Sequence, residues 1–188
     1  MARTVKPRKR VFVGCEGESE RSYVALLQQF MGIRAEFHLV NDVLNGGDPL
    51  AIVDSAIKAL WRDATKNRGS FVAKFVLLDS DLLGRDAARD ARCVQLAAQH
   101  ELRLIWQEPC HEALILRHLD DCHHKRPPTT QASAQQLGKE WPEYSKNCGR
   151  EKLSQRITPA SLESVARCEP ELAVLLVRIG LVKPDAQG

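Results

Sequence analysis

Lys74-Phe75-Val76-Leu77-Leu78-Asp79-Ser80-Asp81 is the stretch that decides the fold of this chain. Four apolar residues run without interruption into two acids one residue apart. That is the pattern of a strand buried on both faces whose chain emerges at the edge of a sheet.

Working outward, Arg10-Val11-Phe12-Val13-Gly14-Cys15 is a second run of this kind and stops at Glu16-Gly17. Ser19, Glu20 and Arg21 then open a helix in which Tyr23, Leu26, Leu27 and Phe30 recur at helical spacing until Gly32. Residues 35–40 read as another strand, and Asn45-Gly46-Gly47-Asp48-Pro49 is dense in turn formers. Asp48 is placed to cap a helix over residues 50–66, with Pro49 at its first position. An Ala- and Arg-rich helix over 85–100 precedes a fourth strand over 102–106. Strands alternating with helices predict an α/β fold: a central, mainly parallel sheet of about four strands with helices on both faces. Its functional edge is the rim formed by the carboxyl ends of the strands.

After Pro109 the pattern changes. Residues 112–119 read as a helix, 122–136 as a long polar loop, and 151–156, 161–167 and 171–179 as three further helices. The expected organisation is a basic arm over 1–9, an α/β core over 10–121, and a loop with a helical C-terminal extension over 122–188 packed on that core.

Composition narrows the function classes. With 188 residues, 44% of them hydrophobic, the chain is long enough for one domain with its own core. Its apolar runs fall far short of the roughly 20 residues a membrane helix needs, so a soluble, cytoplasmic protein without membrane contact is expected. The six cysteines are scattered without a CxxC pair, which predicts free thiols. The net charge is only +3, but Arg3, Lys6, Arg8, Lys9 and Arg10 concentrate cations with no acid among them. Such an arm attracts a phosphate backbone, unless it is simply a solvated terminus. Trp61, Trp106 and Trp141 are too dispersed for a base-stacking platform.

The acids carry the chemistry. A parallel sheet brings Glu16 and the Asp79/Asp81 pair to one rim if their two strands are neighbours. Side chains two apart in an extended segment share a face, so Asp79 and Asp81 can face one cation while Ser80 turns aside. Mg2+, or Mn2+ in its place, suits an all-oxygen site that is completed by water and substrate phosphate. Glu18 and Glu20 lie in the following turn, where acids also favour a helix start, so each reads as cap or ligand. Cys110, His111, Cys122, His123, His124 and Cys148 lack the paired spacing of a zinc site. His118, on an apolar helix, reads as a structural histidine.

An EG step after the first strand and a DxD after a later one resemble the Toprim domain, a Rossmann-like fold. More specifically, Cys15-Glu16-Gly17-Glu18-Ser19-Glu20 resembles the CEGxxTE opening of the RloB-like family, and Val76-Leu77-Leu78-Asp79-Ser80-Asp81 resembles its VFDxD segment. The segment from Glu108-Pro109-Cys110-His111-Glu112 to His118 resembles SNPCFELWLLLHF, and Tyr144-Ser145-Lys146 resembles YxK. Ser19 replaces a threonine, Glu108 an asparagine, and His111 and Ala113 an aromatic and a leucine. The resemblance implies a metal-dependent nuclease that hydrolyses phosphodiesters of DNA or RNA in antiviral defence, with an ATPase partner of AAA or ABC type. It also implies residue roles: Glu16 as metal ligand or general acid/base, Asp79, Asp81 and Glu20 as metal ligands, and Glu112 and Lys146 as supporting catalytic residues. Two other readings stay open. One is a non-catalytic nucleic-acid-binding or regulatory subunit of a defence complex; the other is a nucleotide-sugar transferase using Asp79-Ser80-Asp81 as its metal motif.

Overall fold

The computed structural model describes residues 7–66 and 69–184. Four strands, β1 (Lys9–Cys15), β2 (Phe37–Val43), β3 (Phe71–Asp79) and β4 (Leu102–Gln107), form one sheet in the order β2-β1-β3-β4. All three pairings are parallel. Helices α1 (Glu18–Met31), α2 (Pro49–Ala64) and α3 (Ala87–Gln99) make the crossovers. Beyond β4 come α4 (His111–Arg117), α5 (Thr130–Glu140), α6 (Arg150–Leu153), α7 (Pro159–Ala166) and α8 (Pro170–Arg178).

Alternation along the strands sorts the core into two layers. On one face Phe12, Val76, Leu78 and Leu102 meet Ile52, Val53 and Ala56 of α2 and Cys93 and Ala97 of α3. On the other face Val11, Val13, Cys15, Phe75, Leu77 and Ile105 meet Tyr23, Leu26 and Leu27 of α1. Leu137, Leu153, Leu162, Leu172 and Leu175 from the C-terminal helices join that same cluster. Each such side chain removed from water contributes roughly 1.5–3 kcal/mol. The C-terminal helices therefore cover one face of the sheet directly. Gly14 serves close packing in β1: a Cβ there would meet Leu44 Cδ1 at 2.8 Å.

The caps explain most helix starts. Asp48 accepts from the amides of Leu50 and Ala51 with Pro49 at the first helical position, and Asp86 does the same for Ala88 and Arg89. Two expectations need correction. The second strand runs over 37–43 rather than 35–40, because Asn41, Asp42 and Val43 pair with Val13, Gly14 and Cys15 of β1 despite two of them being polar. The loop expected over 122–136 ends early, at Thr129, whose side chain accepts from the Ala132 amide at 3.1 Å and starts α5. Only Ser133 and Leu137 of that helix are buried, so its apolar stripe is too thin to be read from the sequence.

Arg3 and Lys6 of the basic arm lie outside the described residues. Lys9 and Arg10 belong to β1, where Lys9 pairs with Glu36 and Arg10 makes a two-pronged contact with Asp63 at 2.6 and 2.8 Å. Arg8 donates to the Ile33 carbonyl. These cations hold the start of the sheet in place. The six cysteines are free, and no helix among the described residues is long and apolar enough to cross a membrane.

Leu175→Ala, at a fully buried position of α8, is expected to destabilise the protein by about 2–5 kcal/mol. Urea unfolding followed by both tryptophan fluorescence and circular dichroism should give one coincident, shifted transition. Two separated transitions would mean that the C-terminal helices and the sheet do not share a core.

Candidate active site

β1 and β3 are neighbours, and their register sets Cys15 beside Leu77. Glu16 therefore leaves β1 level with the end of β3, and its Oε2 accepts from the Asp79 amide at 2.8 Å. β4 lies on the far side of β3, with Gln107 paired to Asp79. The turn after β4 then lays the start of α4 across the rim, where the His111 amide donates to Asp79 Oδ1 at 2.9 Å. Glu16 and Asp79 thus each commit one oxygen to a backbone amide.

Glu20, in the first turn of α1, is buried and accepts from the Gly17 amide through Oε2 at 3.0 Å. It caps its own helix, while its Oε1 faces His111 Nδ1 at 3.9 Å. Glu18, the other acid weighed at this turn, is exposed and pairs with Arg21 at 3.1 Å. Glu112 is buried in α4, and Lys146 approaches its Oε1 to 3.9 Å from solvent, with 73% of the lysine side chain exposed. Ser19 brings this lysine to the rim, since its Oγ accepts from the Asn147 amide at 3.1 Å and donates to Asn147 Oδ1 at 3.0 Å.

Asp81 is placed differently from the alternation argument. Extended backbone ends at Asp79; the chain then turns, with the Leu83 amide donating to the Ser80 carbonyl at 3.0 Å. Asp81 is exposed in that turn, and its Oδ2 accepts from Thr130 Oγ1 of α5 at 3.2 Å. Among the described residues, no three His, Cys, Asp or Glu side chains already stand in a metal-binding array.

Two residues that sequence reasoning did not assign to the site sit between its acids. Gln107 and His111 are 1% and 2% exposed, and the Gln107 amide meets His111 Nδ1 at 2.7 Å. With its nitrogen turned to the acids, Gln107 donates to Asp79 Oδ1 at 3.1 Å and to Glu20 Oε1 at 3.3 Å, while its oxygen accepts from His111. The opposite orientation would set its oxygen against two carboxylates. Gln107 becomes legible only once the strand order places β4 beside Asp79; at His111 the sequence offers a zinc candidate and a replaced aromatic of the family segment, neither of which points to this role. His118 is fully part of the interior: Tyr23 Oη lies 3.0 Å from its Nε2 and Ser161 Oγ 3.2 Å from its Nδ1. Burial pushes its pKa down to about 3, so it stays neutral.

The rim is electrostatically unbalanced. Burial, followed by the charges of Glu16, Glu20, Glu112 and Asp81, pushes Asp79 up to about 9. Glu16 is also raised, mainly by burial and then by Glu20 and Asp81, against the lowering effects of the Asp79 amide and Lys146. Acids this close, with one distant lysine between them, hold protons or bind a cation.

A family model described as RloB-like protein matches residues 11–171. No curated protein and no solved structure matches the chain.

An acid raised in the folded state contributes stability that is fully present below its ordinary value of 3.8 and is lost as pH rises through about 9. Asp79→Asn keeps the oxygen that accepts from His111 and removes the charge. In metal-free buffer the variant should therefore gain on wild type as pH rises from 4 to 9, by on the order of 1–3 kcal/mol at the alkaline end. Thermal melts across that range check this. Parallel curves for the two proteins would show that Asp79 carries no such burden.

Proposed function

The chain belongs to the RloB-like protein family, and on that premise we propose that it is a magnesium- or manganese-dependent nuclease of the Toprim type that acts in antiviral defence. The observation that carries the reading is the contact between Glu16 and the Asp79 amide across adjacent parallel strands. It places the acid of an EG step and the first acid of a DxD on one rim. A nucleotide-sugar transferase would need only the DxD and would leave Glu16, Glu20 and Glu112 without a task.

The donor set fits a hard divalent cation, since every candidate ligand offers carboxylate oxygen. The upward shift of Asp79 supports the same view, because neutralising charge is what this rim lacks. Glu16, Asp79, Asp81 and Glu20 would hold the ion, which when bound neutralises phosphoryl charge and makes a water more acidic. Asp81 and Glu20 would have to turn from Thr130 and the Gly17 amide to reach it.

The remaining work falls to the chain's own residues. Glu16 keeps one oxygen away from the Asp79 amide, and burial raises its carboxyl above the ordinary range, which favours a group that can take up and return a proton. Lys146 is exposed and held beside Glu112, so it can meet a phosphate oxygen and offset charge built up in the transition state. Gln107 and the His111 amide hold Asp79 in place. Backbone phosphates of DNA or RNA supply the substrate, and an ATPase of AAA or ABC type supplies the trigger.

A second reading rests on a specific observation. The acids do not stand in a ready metal array, and Asp79 holds its proton to about 9 in the metal-free state. That suits a regulatory or nucleic-acid-binding subunit whose site is silent.

Two measurements separate the readings. Isothermal titration with Mg2+ or Mn2+ at pH 8 should show binding with proton release, lost in Asp79→Asn and weakened at least tenfold in Glu16→Gln. In cells that the wild-type protein protects from phage, both variants should abolish protection while remaining folded. Wild-type protection by both variants would exclude the nuclease and leave the subunit.

A further inference from the structure

The acidic rim occupies the carboxyl end of the sheet. At the other end, where β3 begins and β4 starts, lies an open groove of about 1100 Å3 that the reading of the rim leaves unused. Ala73 and Phe75 of β3 and Arg103 of β4 form its floor, on the sheet face that α8 covers. Its walls come from α7 and α8 and from the segment that follows α8. One contact closes the groove at its base: Arg178 of α8 donates to the Val72 carbonyl at 2.7 Å.

Two properties of this groove stand out. First, it exposes aliphatic side chains that the core could have absorbed. Val72 and Val174 are 39% and 40% exposed, and both line it. Val72 is exposed for a local reason, since β1 and β3 change register there: Arg10 pairs with Phe71, and Val11 with Ala73. The extra residue forms a bulge and swings outward. Second, five cations line the groove against two acids, Glu101 and Glu163. Lys74 is engaged with the His100 carbonyl and Glu101, and Arg178 with Val72. Arg103 and Lys183 are exposed and make no hydrogen bond or ion pair among the described residues, and Arg167 reaches only Ser164 Oγ at 3.3 Å. An excess of positive charge beside exposed valines is complementary to one kind of occupant.

We propose that this groove docks an acidic, aliphatic peptide segment of a partner protein, at the end of the sheet opposite the acidic rim. The groove's volume lies just above the usual span of small-molecule sites, roughly 300–1,000 Å3, and it is open to solvent, so a peptide segment can enter it. A nucleic-acid strand fits less well. The exposed apolar surface of the groove is that of Val72 and Val174; of the two rings in the lining, Phe75 is buried and Phe71 lies under the Arg10 guanidinium, so no row of rings is offered for bases to stack on. A peptide places carboxylates against Arg103, Arg167 and Lys183 and one or two branched aliphatic residues against Val72 and Val174. The proposal is independent of the metal chemistry, because none of these residues touches Glu16, Asp79 or their partners.

The test pans a phage-displayed library of random twelve-residue peptides on the full-length protein and measures the selected peptides by fluorescence anisotropy. Enriched sequences should carry acids flanking aliphatic residues. Their affinity should fall at least tenfold in Val174→Asp and in Arg103→Glu/Lys183→Glu, fall with added salt, and stay unchanged in Asp79→Asn. Val174 and the two cations are exposed, so the variants should keep the wild-type melting temperature. Four outcomes overturn the proposal: no enrichment; enriched peptides insensitive to the groove variants; displacement of the peptide by an oligothymidylate strand, which would make the groove a phosphate site; or a wild-type dimer that Val174→Asp turns into monomer, which would make a second copy the occupant. Loss of metal binding in Asp79→Asn with peptide binding intact keeps the two hypotheses separate.

Discussion

The parallel pairing of β1 with β3 is the constraint on which the rest depends. The two strands sit side by side in the centre of the sheet, with Cys15 level with Leu77, and the first crossover is therefore obliged to carry β2 to the outer edge. A slip of one residue would turn Val11, Val13 and Cys15 from one core layer to the other. The same register delivers the Glu16 carboxylate to the Asp79 amide. Packing and chemistry are thus set by one alignment, and the apolar runs that fix the alignment lie immediately before the acids that use it.

What the alignment creates is a local conflict. Five acids share a rim whose nearest cation, Lys146, is mostly in solvent and 3.9 Å from a single one of them. The protein answers with neutral donors: three backbone amides, those of Gly17, Asp79 and His111, the Thr130 hydroxyl and the side-chain amide of Gln107. Such donors stabilise charge without supplying any, so they hold the acids in position while leaving the excess negative charge unneutralised. Sites that bind a reactive ion or substrate are commonly built this way, with local stability given up for a defined geometry.

The order of elements and the rim itself were legible in the sequence because each rests on a local signal: an apolar run, a cap, a turn, an acid just past a strand. Asp48 and Pro49 show this well, as cap and first helical residue where their order predicts. The misreadings have physical causes. Alternation reaches Asp81 only if the strand continues two residues past Asp79, yet pairing with β4 ends there and the chain turns at Ser80, whose carbonyl accepts from the Leu83 amide. α5 was hidden because two buried residues suffice once a neighbouring helix supplies the rest of the contact. Gln107 was invisible because its role depends on which strand lies next to which, a fact of topology rather than of spacing.

The C-terminal helices complete the fold in a way that also follows from the sheet. β4 is an edge strand, and an open edge invites unwanted pairing. α8 covers it from its first turn: Glu171 accepts from the Trp106 amide at 2.7 Å. Glu169, one residue before α8, lies 2.8 Å from the buried Arg117, which in turn donates to the Glu108 carbonyl at 2.9 Å. Residues 106–108 are therefore gripped from α8 on one side while Gln107 reaches the acids on the other. A buried arginine that contacts a carboxylate and a carbonyl is costly to desolvate and adds little net stability, so its value lies in orientation. It fixes the turn that presents Gln107 and the start of α4 to Asp79. The helix that walls the groove at one end of the sheet is thus the helix that braces the rim at the other.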